Sequence, residues 1–477
     1  MASDFSNELQ LHLRSDYRLI FIVTSEEERA RGELRNACDR AGMTLLEPRT
    51  PGTLRDLSEQ LDAAGDAGTV VLVNDLHRRL EQPDVLRLLA DLDAGGGCQR
   101  RAVVLTPSFT VPQELEHLSA VLELPLPTRE ELADVLNSVC AATGVLLVED
   151  DLEAMVRVGR GLTEGEARRA FTKALLGWPE DAPLAREAVE KDKRKALHRS
   201  NVLEHVDVTE NFDRVGGMDQ LKKWLESRRK AFSREAREFG LPVPKGLLLM
   251  GIQGCGKSLT AKAVAGFWNL PLVRLDLSAV YGQPHPEESL RTALRTAEAM
   301  APVVLWIDEI EKGFDIGGRG ESARLLGGLI TWLQEKQHEV FVVATANRVE
   351  ALPPELPRKG RFDEIFFVDL PAPAERREIL ELHLRRRNLN PGDYDLEELV
   401  RRTDKFTGSE LEQIIVSAMY GAFERGDAVT DADLRRALSN AVSLYETFEP
   451  EIKKLREWAR KRARSASSDR SRIDYFK

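Results

Sequence analysis

One octapeptide, Gly251–Ser258 (GIQGCGKS), constrains the fold of this chain more than any other segment. The apolar run at 246–250 predicts a buried strand before it, and residues 258–267 predict a helix after it. Glycines let backbone N–H groups turn inward, and the N-terminus of the following helix attracts negative charge. A strand, a glycine-rich loop with a lysine, and a helix in this order therefore predict an α/β fold with a phosphate-binding loop.

The same octapeptide predicts which side chains hold a nucleotide. Lys257 is placed to reach the β- and γ-phosphates, and the Ser258 hydroxyl is placed to hold Mg²⁺. The alternative, a glycine turn with an exposed lysine, does not explain why a strand and a helix flank the loop. The predicted nucleotide-binding residues of this segment are Gly251, Gln253, Gly254, Cys255, Gly256, Lys257, Ser258 and Leu259.

Length and charge limit the class of protein. The 477 residues exceed one ordinary hydrophobic core, so about three domains are expected. A net charge of −11 disfavours nucleic acid and anionic membranes as partners. We expect a cytoplasmic protein, because no apolar run has membrane-spanning length, no secretory signal is recognisable, and four scattered cysteines lack metal or disulfide spacing.

The chain is predicted to contain the same α/β module twice. In the second half, apolar strands at 303–309 and 341–347 end in polar side chains, and segments 70–76 and 102–108 occupy the same places in the first half. Segments corresponding to the downstream helices follow in the same order in both halves. Matches in the same order predict two related α/β modules, each with a helical lid.

The first copy lacks the phosphate-binding residues. Its opening strand at 19–23 runs into Thr24–Arg29 (TSEEER), without a glycine or a lysine. Asp75 keeps the place of Asp308, but Leu76 stands where the second copy has Glu309. We therefore interpret the first module as nucleotide-free and used for docking or assembly; the alternative is an unrelated three-layer α/β domain.

The chain as a whole is predicted to divide into five segments. They are a degenerate module with its lid at 1–177, a charged linker at 178–210, an active α/β subdomain at 211–371, its helical lid at 372–446, and a basic C-terminal helix and tail at 447–477.

The second module offers a candidate for each part of phosphoryl transfer to water. Ser258 and Asp308 are the predicted Mg²⁺ ligands. Glu309 is the candidate base for the attacking water, and Asn347 is placed to position that water. Arg358 and Arg361 are suited to the charge of the transition state, because guanidinium groups bind phosphate bidentately. Spacing alone leaves open whether these arginines form surface salt bridges instead.

These motifs, together with Gly216-Gly217 and the segment Arg358–Asp363, resemble the AAA ATPases. Residues 222–370 look more closely like the conserved plastid-open-reading-frame AAA family of cyanobacteria, chloroplasts and other bacteria, and the N-terminal half matches it more weakly. The resemblance rests on Ala231-Phe232, Gly251–Gly254, Leu329–Lys336 and Phe341–Asn347.

The resemblance implies Mg²⁺-dependent ATP hydrolysis in a homo-hexamer or another ring. It implies that Arg358 and Arg361 reach the γ-phosphate of a neighbouring subunit as arginine fingers, and that Asn347 is sensor 1. It also implies an adenine site formed by Val215 and Gly216 with lid residues Ile379 and His383. The lid pair Gly408-Ser409 stands where many relatives have Gly-Ala, so no sensor-2 arginine is expected.

We predict that the ATPase remodels a protein partner, whose identity the residues do not reveal. One alternative is an ATP-gated switch or scaffold in which binding matters rather than turnover. A nucleic-acid-linked AAA protein is a second alternative, which the acidic balance disfavours.

Three features of the sequence each have two interpretations. Tyr281-Gly282 resembles the substrate-gripping pair of AAA unfoldases, but the Pro284-His285-Pro286 segment after it stiffens the loop, and packing is the alternative. Cys255 lies near a cation that can lower a thiol pKa, although a tolerated small residue is the favoured interpretation. The basic helix predicted at 450–464 is interpreted as solvated, with contact to nucleic acid or a neighbouring subunit as the alternative.

Overall fold

The computed structural model divides the chain into two compact units, Met1–Glu190 and Lys191–Lys477. The division falls inside the segment predicted as a linker; the finer domain boundaries stay a prediction. No helix among the described residues is both long enough and apolar enough to cross a membrane. The structure describes residues 4–15, 17–47, 54–62, 68–74, 76–80, 82–94, 101–107, 112, 114–198, 202–208, 212, 215–315, 319–358 and 360–468.

The first unit is built on a parallel sheet with helices on both faces. Its strands are β1 (Leu19–Val23), β2 (Thr44–Leu46), β3 (Thr69–Asn74), β4 (Arg101–Thr106) and β5 (Ser119–Glu123). Its first helices are α1 (Asp4–Arg14), α2 (Glu27–Ala41), α3 (Leu54–Asp62) and α4 (Pro83–Ala94), with a 3₁₀ turn at Leu76–Arg79. The helices that follow are α5 (Arg129–Thr143), α6 (Glu149–Gly159), α7 (Glu164–Gly177) and α8 (Ala182–His198), and the division between the two units falls within α8.

The second unit has a larger sheet and its own helical lid. Its strands are β6 (Leu203–Val206), β7 (Gly246–Gly251), β8 (Leu272–Leu275), β9 (Val303–Ile307), β10 (Val340–Ala346), β11 (Glu364–Val368) and β12 (Arg464–Ser465). The helices around the sheet are α9 (Asp219–Glu226), α10 (Arg234–Glu238), α11 (Lys257–Trp268), α12 (Leu277–Tyr281), α13 (Pro286–Ala299), α14 (Lys312–Asp315) and α15 (Arg319–Glu335). The lid and C-terminal helices are α16 (Pro373–Arg385), α17 (Leu396–Arg402), α18 (Gly408–Arg425), α19 (Asp431–Ser439), α20 (Leu444–Thr447) and α21 (Glu449–Arg462).

The two sheets share one strand order. In the first unit the order is β5-β1-β4-β3-β2, and in the second unit β11-β7-β10-β9-β8 forms the corresponding core. Each opening strand, β1 or β7, therefore lies between the fourth and the fifth strand of these five, counted along the chain. This arrangement confirms the predicted α/β fold class, and it brings the carboxyl ends of β7, β9 and β10 to one edge of the sheet.

The strands read as near-continuous apolar runs because both faces of each sheet are covered. In β1, Ile20 and Ile22 pack towards α1 and α2, whereas Leu19 and Phe21 belong to the cluster on the opposite face. All residues of β7, β9 and β10 are buried. The second lid has a separate apolar core that includes Leu380, Leu411, Ile415 and Leu434.

The C-terminal segment differs from the predicted solvated helix and tail. Helix α21 buries Ile452, Leu455 and Ala459, so only its outer face is solvated. Arg456 of this helix forms an ion pair with Asp369 at 2.8 Å. The chain then returns to the sheet as β12, which pairs in parallel with the edge strand β11. Burial of an apolar helix face against the core is the physical reason for this difference.

Candidate functional site

The phosphate-binding loop connects β7 to α11 through backbone conformations that favour glycine. Gly251 has φ +153°, and a Cβ there would lie 2.0 Å from the carbonyl oxygen of Val368. Gly256 is left-handed, with φ +85°, and lies at the N-cap of α11 without a side-chain cap. The glycines thus permit close packing on β11 and leave the helix N-terminus open for an anion.

Lys257 is a buried cation at the start of α11, with only 6% of its surface exposed. Its Nζ donates hydrogen bonds to the carbonyl oxygens of Gly251 at 2.9 Å and Ile252 at 2.8 Å. Burial lowers the pKa of Lys257 to about 8. The loop itself therefore holds the lysine at the position where phosphate oxygens would be bound.

Asp308 meets two hydroxyl groups at the carboxyl edge of the sheet. Its Oδ1 accepts hydrogen bonds from Ser258 Oγ at 3.0 Å and from Thr345 Oγ1 at 2.7 Å. Thr345 Oγ1 also accepts the backbone N–H of Glu309 at 2.8 Å. Thr345 was not among the predicted site residues, although it lies two residues before Asn347, a spacing that puts both side chains on the same side of an extended chain.

Glu309 and Asn347 contact each other directly. Asn347 Nδ2 donates to Glu309 Oε1 at 2.8 Å, and Glu309 has a left-handed backbone with φ +48°. The second Glu309 oxygen forms an ion pair with Lys312. A buried residue that was not predicted, Glu311, accepts the backbone N–H of Asn347 at 2.8 Å. These contacts hold the candidate base and the candidate water-positioning amide side by side.

The residues predicted to form the adenine site line the same cavity. Gly216 packs so closely against the lid that a Cβ would lie 2.7 Å from Ile379 Cγ1. Burial lowers the pKa of His383, which also lines the cavity. At the start of α18, the backbone N–H of Ser409 donates to the carbonyl oxygen of Gly254 at 3.0 Å. The lid therefore contacts both Gly216 and the phosphate-binding loop.

The cavity has a volume of about 520 Å³, within the range of small-molecule sites. All but three of the predicted site residues line it; Gly251, Arg358 and Arg361 do not. Lining residues that were not predicted are Met218, Thr345, Val368, Asp369, Pro371, Glu375, Leu382, Arg386, Glu412 and Ser467.

The two candidate finger arginines lie away from this cavity. Arg358 lines a separate groove that also includes Arg228, Lys230 and the exposed ring of Phe239. One terminal nitrogen of Arg361, Nη1, is buried and has no hydrogen-bond partner within the described part of the chain. Neither Arg358 nor Arg361 therefore lines the cavity that contains the other predicted site residues of this chain.

The environment of Cys255 argues against a reactive thiol. Cys255 is buried, and burial raises its pKa to about 12, despite the neighbouring Lys257. The hypothesis that nearby charge lowers this pKa is therefore wrong, because desolvation outweighs the lysine. The favoured alternative, a tolerated small residue, agrees with this burial.

Tyr281 is half-buried rather than displayed on a loop. It is the last residue of α12, packs against the core cluster, and donates a hydrogen bond from its hydroxyl to the carbonyl oxygen of Gly313. Pro286, from the stiff segment after it, is the first residue of α13. The packing alternative is favoured in this conformation.

The first unit has charged side chains where the second has its phosphate loop. Arg29 contacts Glu26 at 3.1 Å and Glu131 of the lid at 3.0 Å, and the Arg29 and Glu26 side chains are each only 8% exposed. The backbone N–H of Glu164, at the start of α7, donates to Glu26. Burial raises the pKa of Glu26. Leu76 is buried, whereas Asp75 lies outside the described residues.

Comparison with known proteins agrees with this geometry. The family described as ATPase family associated with various cellular activities (AAA) matches residues 247–370. The SpoVK-like AAA ATPase N-terminal domain matches residues 5–124, and the AAA+ lid domain matches residues 393–436. The second unit is thus the module of an AAA ATPase, an enzyme that hydrolyses ATP.

Similarity to whole proteins extends over both units. The chain is 35% identical to the uncharacterized AAA domain-containing protein ycf46 of Guillardia theta, over 95% of each protein. It is also 35% identical to the ycf46 protein of Trieres chinensis, over 98% of this chain and 100% of that protein. The chain therefore belongs to the ycf46 family of AAA domain-containing proteins, as the resemblance in its motifs predicted. A proteasome-activating nucleotidase of Aeropyrum pernix is 38% identical over 41% of this chain and 50% of its own length.

Proposed function

We propose that this protein is a Mg²⁺-dependent ATPase that assembles into a ring and uses hydrolysis to remodel a protein partner. The observation that carries the proposal is the cluster at the carboxyl edge of the second sheet. There Asp308 accepts hydrogen bonds from Ser258 and Thr345, and Glu309 accepts one from Asn347. The cluster adjoins a buried lysine and a glycine loop, as phosphoryl transfer to water requires.

The residues present fit Mg²⁺ and ATP. The apolar side chains of Val215 and Ile379 suit the base, and Lys257 with the loop amides suits the triphosphate. Among the described residues no group of three or more His, Cys, Asp or Glu side chains is placed to hold a metal. Ser258 and Asp308 would therefore hold Mg²⁺ together with phosphate oxygens and water, the arrangement this ion prefers. When bound, the ion would neutralise charge on the phosphates.

Glu309 is the proposed general base. Its carboxylate would accept a proton from the attacking water, while Asn347 holds Glu309 in place and orients that water. Lys312 forms an ion pair with the second oxygen of the same carboxylate, which restrains the orientation of the Glu309 side chain.

The proposal of a ring rests on Arg358 and Arg361. Both lie away from the cavity of their own chain, so a second copy would bring them to a nucleotide.

The proposal of a protein partner rests on relatives. The chain is similar to a proteasome-activating nucleotidase and to an ATP-dependent zinc metalloprotease, FtsH 2 of Salinibacter ruber, which is 36% identical over 47% of this chain. We also propose a cytoplasmic location, supported by the free thiols of Cys38, Cys140 and Cys255.

The experiment that tests the ring measures ATP hydrolysis against protein concentration, with intact protein and Arg361→Ala mixed in varying proportion. We expect the rate per subunit to rise with concentration and to fall more than proportionally as the variant is added. A rate per subunit that is independent of concentration, with the variant only diluting activity, would show self-contained sites.

Glu309→Gln distinguishes the remodelling ATPase from an ATP-gated switch. The variant removes the base but keeps the size of the side chain, so we expect it to bind ATP without turnover. If the variant binds ATP but no longer supports the function of the protein in cells, hydrolysis is required for that function. Full function in a variant that binds but does not hydrolyse ATP would favour the switch. Recovery of bound proteins with the ATP-trapped variant identifies the partner.

A further inference from the structure

The C-terminal segment Arg464–Ser468, which we call the strap, is joined to the edge of the second sheet. Arg464 pairs with Phe366 and Ser465 with Phe367 in the parallel ladder. The ladder continues where the backbone N–H of Ala466 donates to the carbonyl oxygen of Phe367 at 2.9 Å. Ala466 is only 1% exposed. The strap is therefore a built part of the sheet edge rather than a solvated tail.

The strap also caps the first helix after the adenine turn. The N-cap of α9 is Met218, whose side chain makes no capping hydrogen bond. The carbonyl oxygen of Ala466 accepts the backbone N–H groups of Gln220 at 3.0 Å and Leu221 at 3.1 Å. The backbone N–H of Ser468 donates to Asp219 Oδ1 at 2.7 Å. A distant backbone segment thus satisfies donors that a capping side chain ordinarily satisfies.

Ser467 links the strap to the nucleotide cavity, which it lines. Its hydroxyl donates to Glu375 Oε1, and the same oxygen accepts the backbone N–H of Met218 at 3.2 Å. Glu375 lies on α16, the helix that also carries Ile379. The strap, the turn Val215–Met218 and the first lid helix therefore meet at one carboxylate.

We propose that the strap is a positioning element that sets the affinity for the nucleoside end of ATP. Its contacts order the turn Val215–Met218 and orient Glu375 before a ligand binds. Without them the turn gains conformational freedom, and binding must then order it at the expense of affinity. This inference rests on the proposed ATP-binding function of the cavity. Inorganic triphosphate, which has no nucleoside, does not need the ordered turn.

The test compares four variants with the intact chain. Ser467→Ala removes the hydroxyl that reaches Glu375, and Ser467→Thr restores a hydroxyl. Ser417→Ala is the matched control, because Ser417 is exposed on α18 and does not line the cavity. A chain ending at Ala463 lacks the strap.

Fluorescence titration gives the Kd of ATP, and competition gives that of inorganic triphosphate. We expect Ser467→Ala to raise the Kd of ATP roughly threefold to tenfold, as loss of one hydrogen bond implies. The Kd of triphosphate should stay within twofold of the intact value, Ser467→Thr should recover ATP affinity, and deletion of the strap should weaken ATP binding further. Equal ATP affinity in Ser467→Ala and Ser417→Ala would overturn the proposal, whether or not the shortened chain folds.

Equal weakening of ATP and triphosphate would also overturn it, because that result indicates general disruption of the cavity. Lys257→Ala separates failure of the strap from failure of the proposed function. If the intact chain binds ATP and Lys257→Ala does not, the ATP site stands whatever the strap variants show. An intact chain that does not bind ATP would remove the proposed function and the inference together.

Discussion

Thr345 connects the two halves of the candidate catalytic cluster. Its hydroxyl donates to the Asp308 carboxylate and accepts the backbone N–H of Glu309. It therefore orients both the candidate metal ligand and the candidate base, although it lies outside the segments Gly251–Ser258 and Asp308-Glu309 that contain the motifs. Groups that orient metal ligands in this way ordinarily matter for activity nearly as much as the ligands do.

Thr345→Val should lower ATP turnover by roughly 10- to 100-fold while ATP still binds, because valine keeps the shape but removes both hydrogen bonds. Steady-state hydrolysis and nucleotide titration on the same samples give the two quantities. Thr345→Ser is the matched control and should retain most of the activity. A Thr345→Val protein with the turnover of the intact chain would contradict the orienting role.

Burial of Lys336 should make the free energy of unfolding depend on pH. Its Nζ donates to the carbonyl oxygen of Val340, and burial lowers its pKa to about 8 from 10.5. Between these two values the unfolded chain holds a proton that the folded chain has released, so the free energy of unfolding rises with pH. The total gain is about 3 kcal/mol at most.

Thermal unfolding of the intact chain and of Lys336→Met, followed from pH 7.5 to 10.5, measures this difference. We expect the intact chain to gain stability relative to Lys336→Met as the pH rises through that window. Lys454→Met, at an exposed lysine, should show no such relative change. Parallel curves for the intact chain and Lys336→Met would disprove the prediction.

At the scale of elements, the two units attach their lids to their sheets at corresponding places but with different chemistry. In the second unit, the start of α18 donates to the loop carbonyl of Gly254. In the first unit, the start of α7 donates to the side chain of Glu26, which Arg29 also contacts. The first lid is therefore held by an internal ion cluster, whereas the second leaves the loop amides to a ligand.

Arg29→Met should destabilise the first unit by about 3–5 kcal/mol, because Glu26 and Glu131 then lose their shared buried cation. Hydrogen exchange of α5 and α7 measures the loss locally. Arg31→Met, on the same helix but with largely exposed partners, should cost at most about 1 kcal/mol. Equal protection of the lid helices in both variants would refute the role of the cluster.

At the scale of the whole molecule, the chain is expected to bind one nucleotide. The second unit has the glycine loop and Lys257, whereas Glu26 and Arg29 lie at the corresponding place in the first. Calorimetric titration should therefore give one ATP per chain. Lys257→Ala should abolish all binding, because the variant loses the cation of the second unit and the first unit has no site of its own. Two ATP per chain, or a remaining site in Lys257→Ala, would contradict this prediction.

Sequence alone determined the elements whose chemistry is local. The loop Gly251–Ser258, the acids after β9 and the amide after β10 could be predicted, because backbone conformation and strand ends follow from neighbouring residues. The repeated order of strands predicted the two α/β modules for the same reason. These features supported the family resemblance that the full-length relatives then confirmed.

Only the tertiary structure decided contacts between distant segments. Glu375 meets Met218 and Ser467, which are separated from each other by most of the second unit. The burial that raises the pKa of Cys255, and the return of the chain to β11 after α21, also come from packing. Such contacts depend on which faces the folded core covers, and no local pattern encodes that pairing.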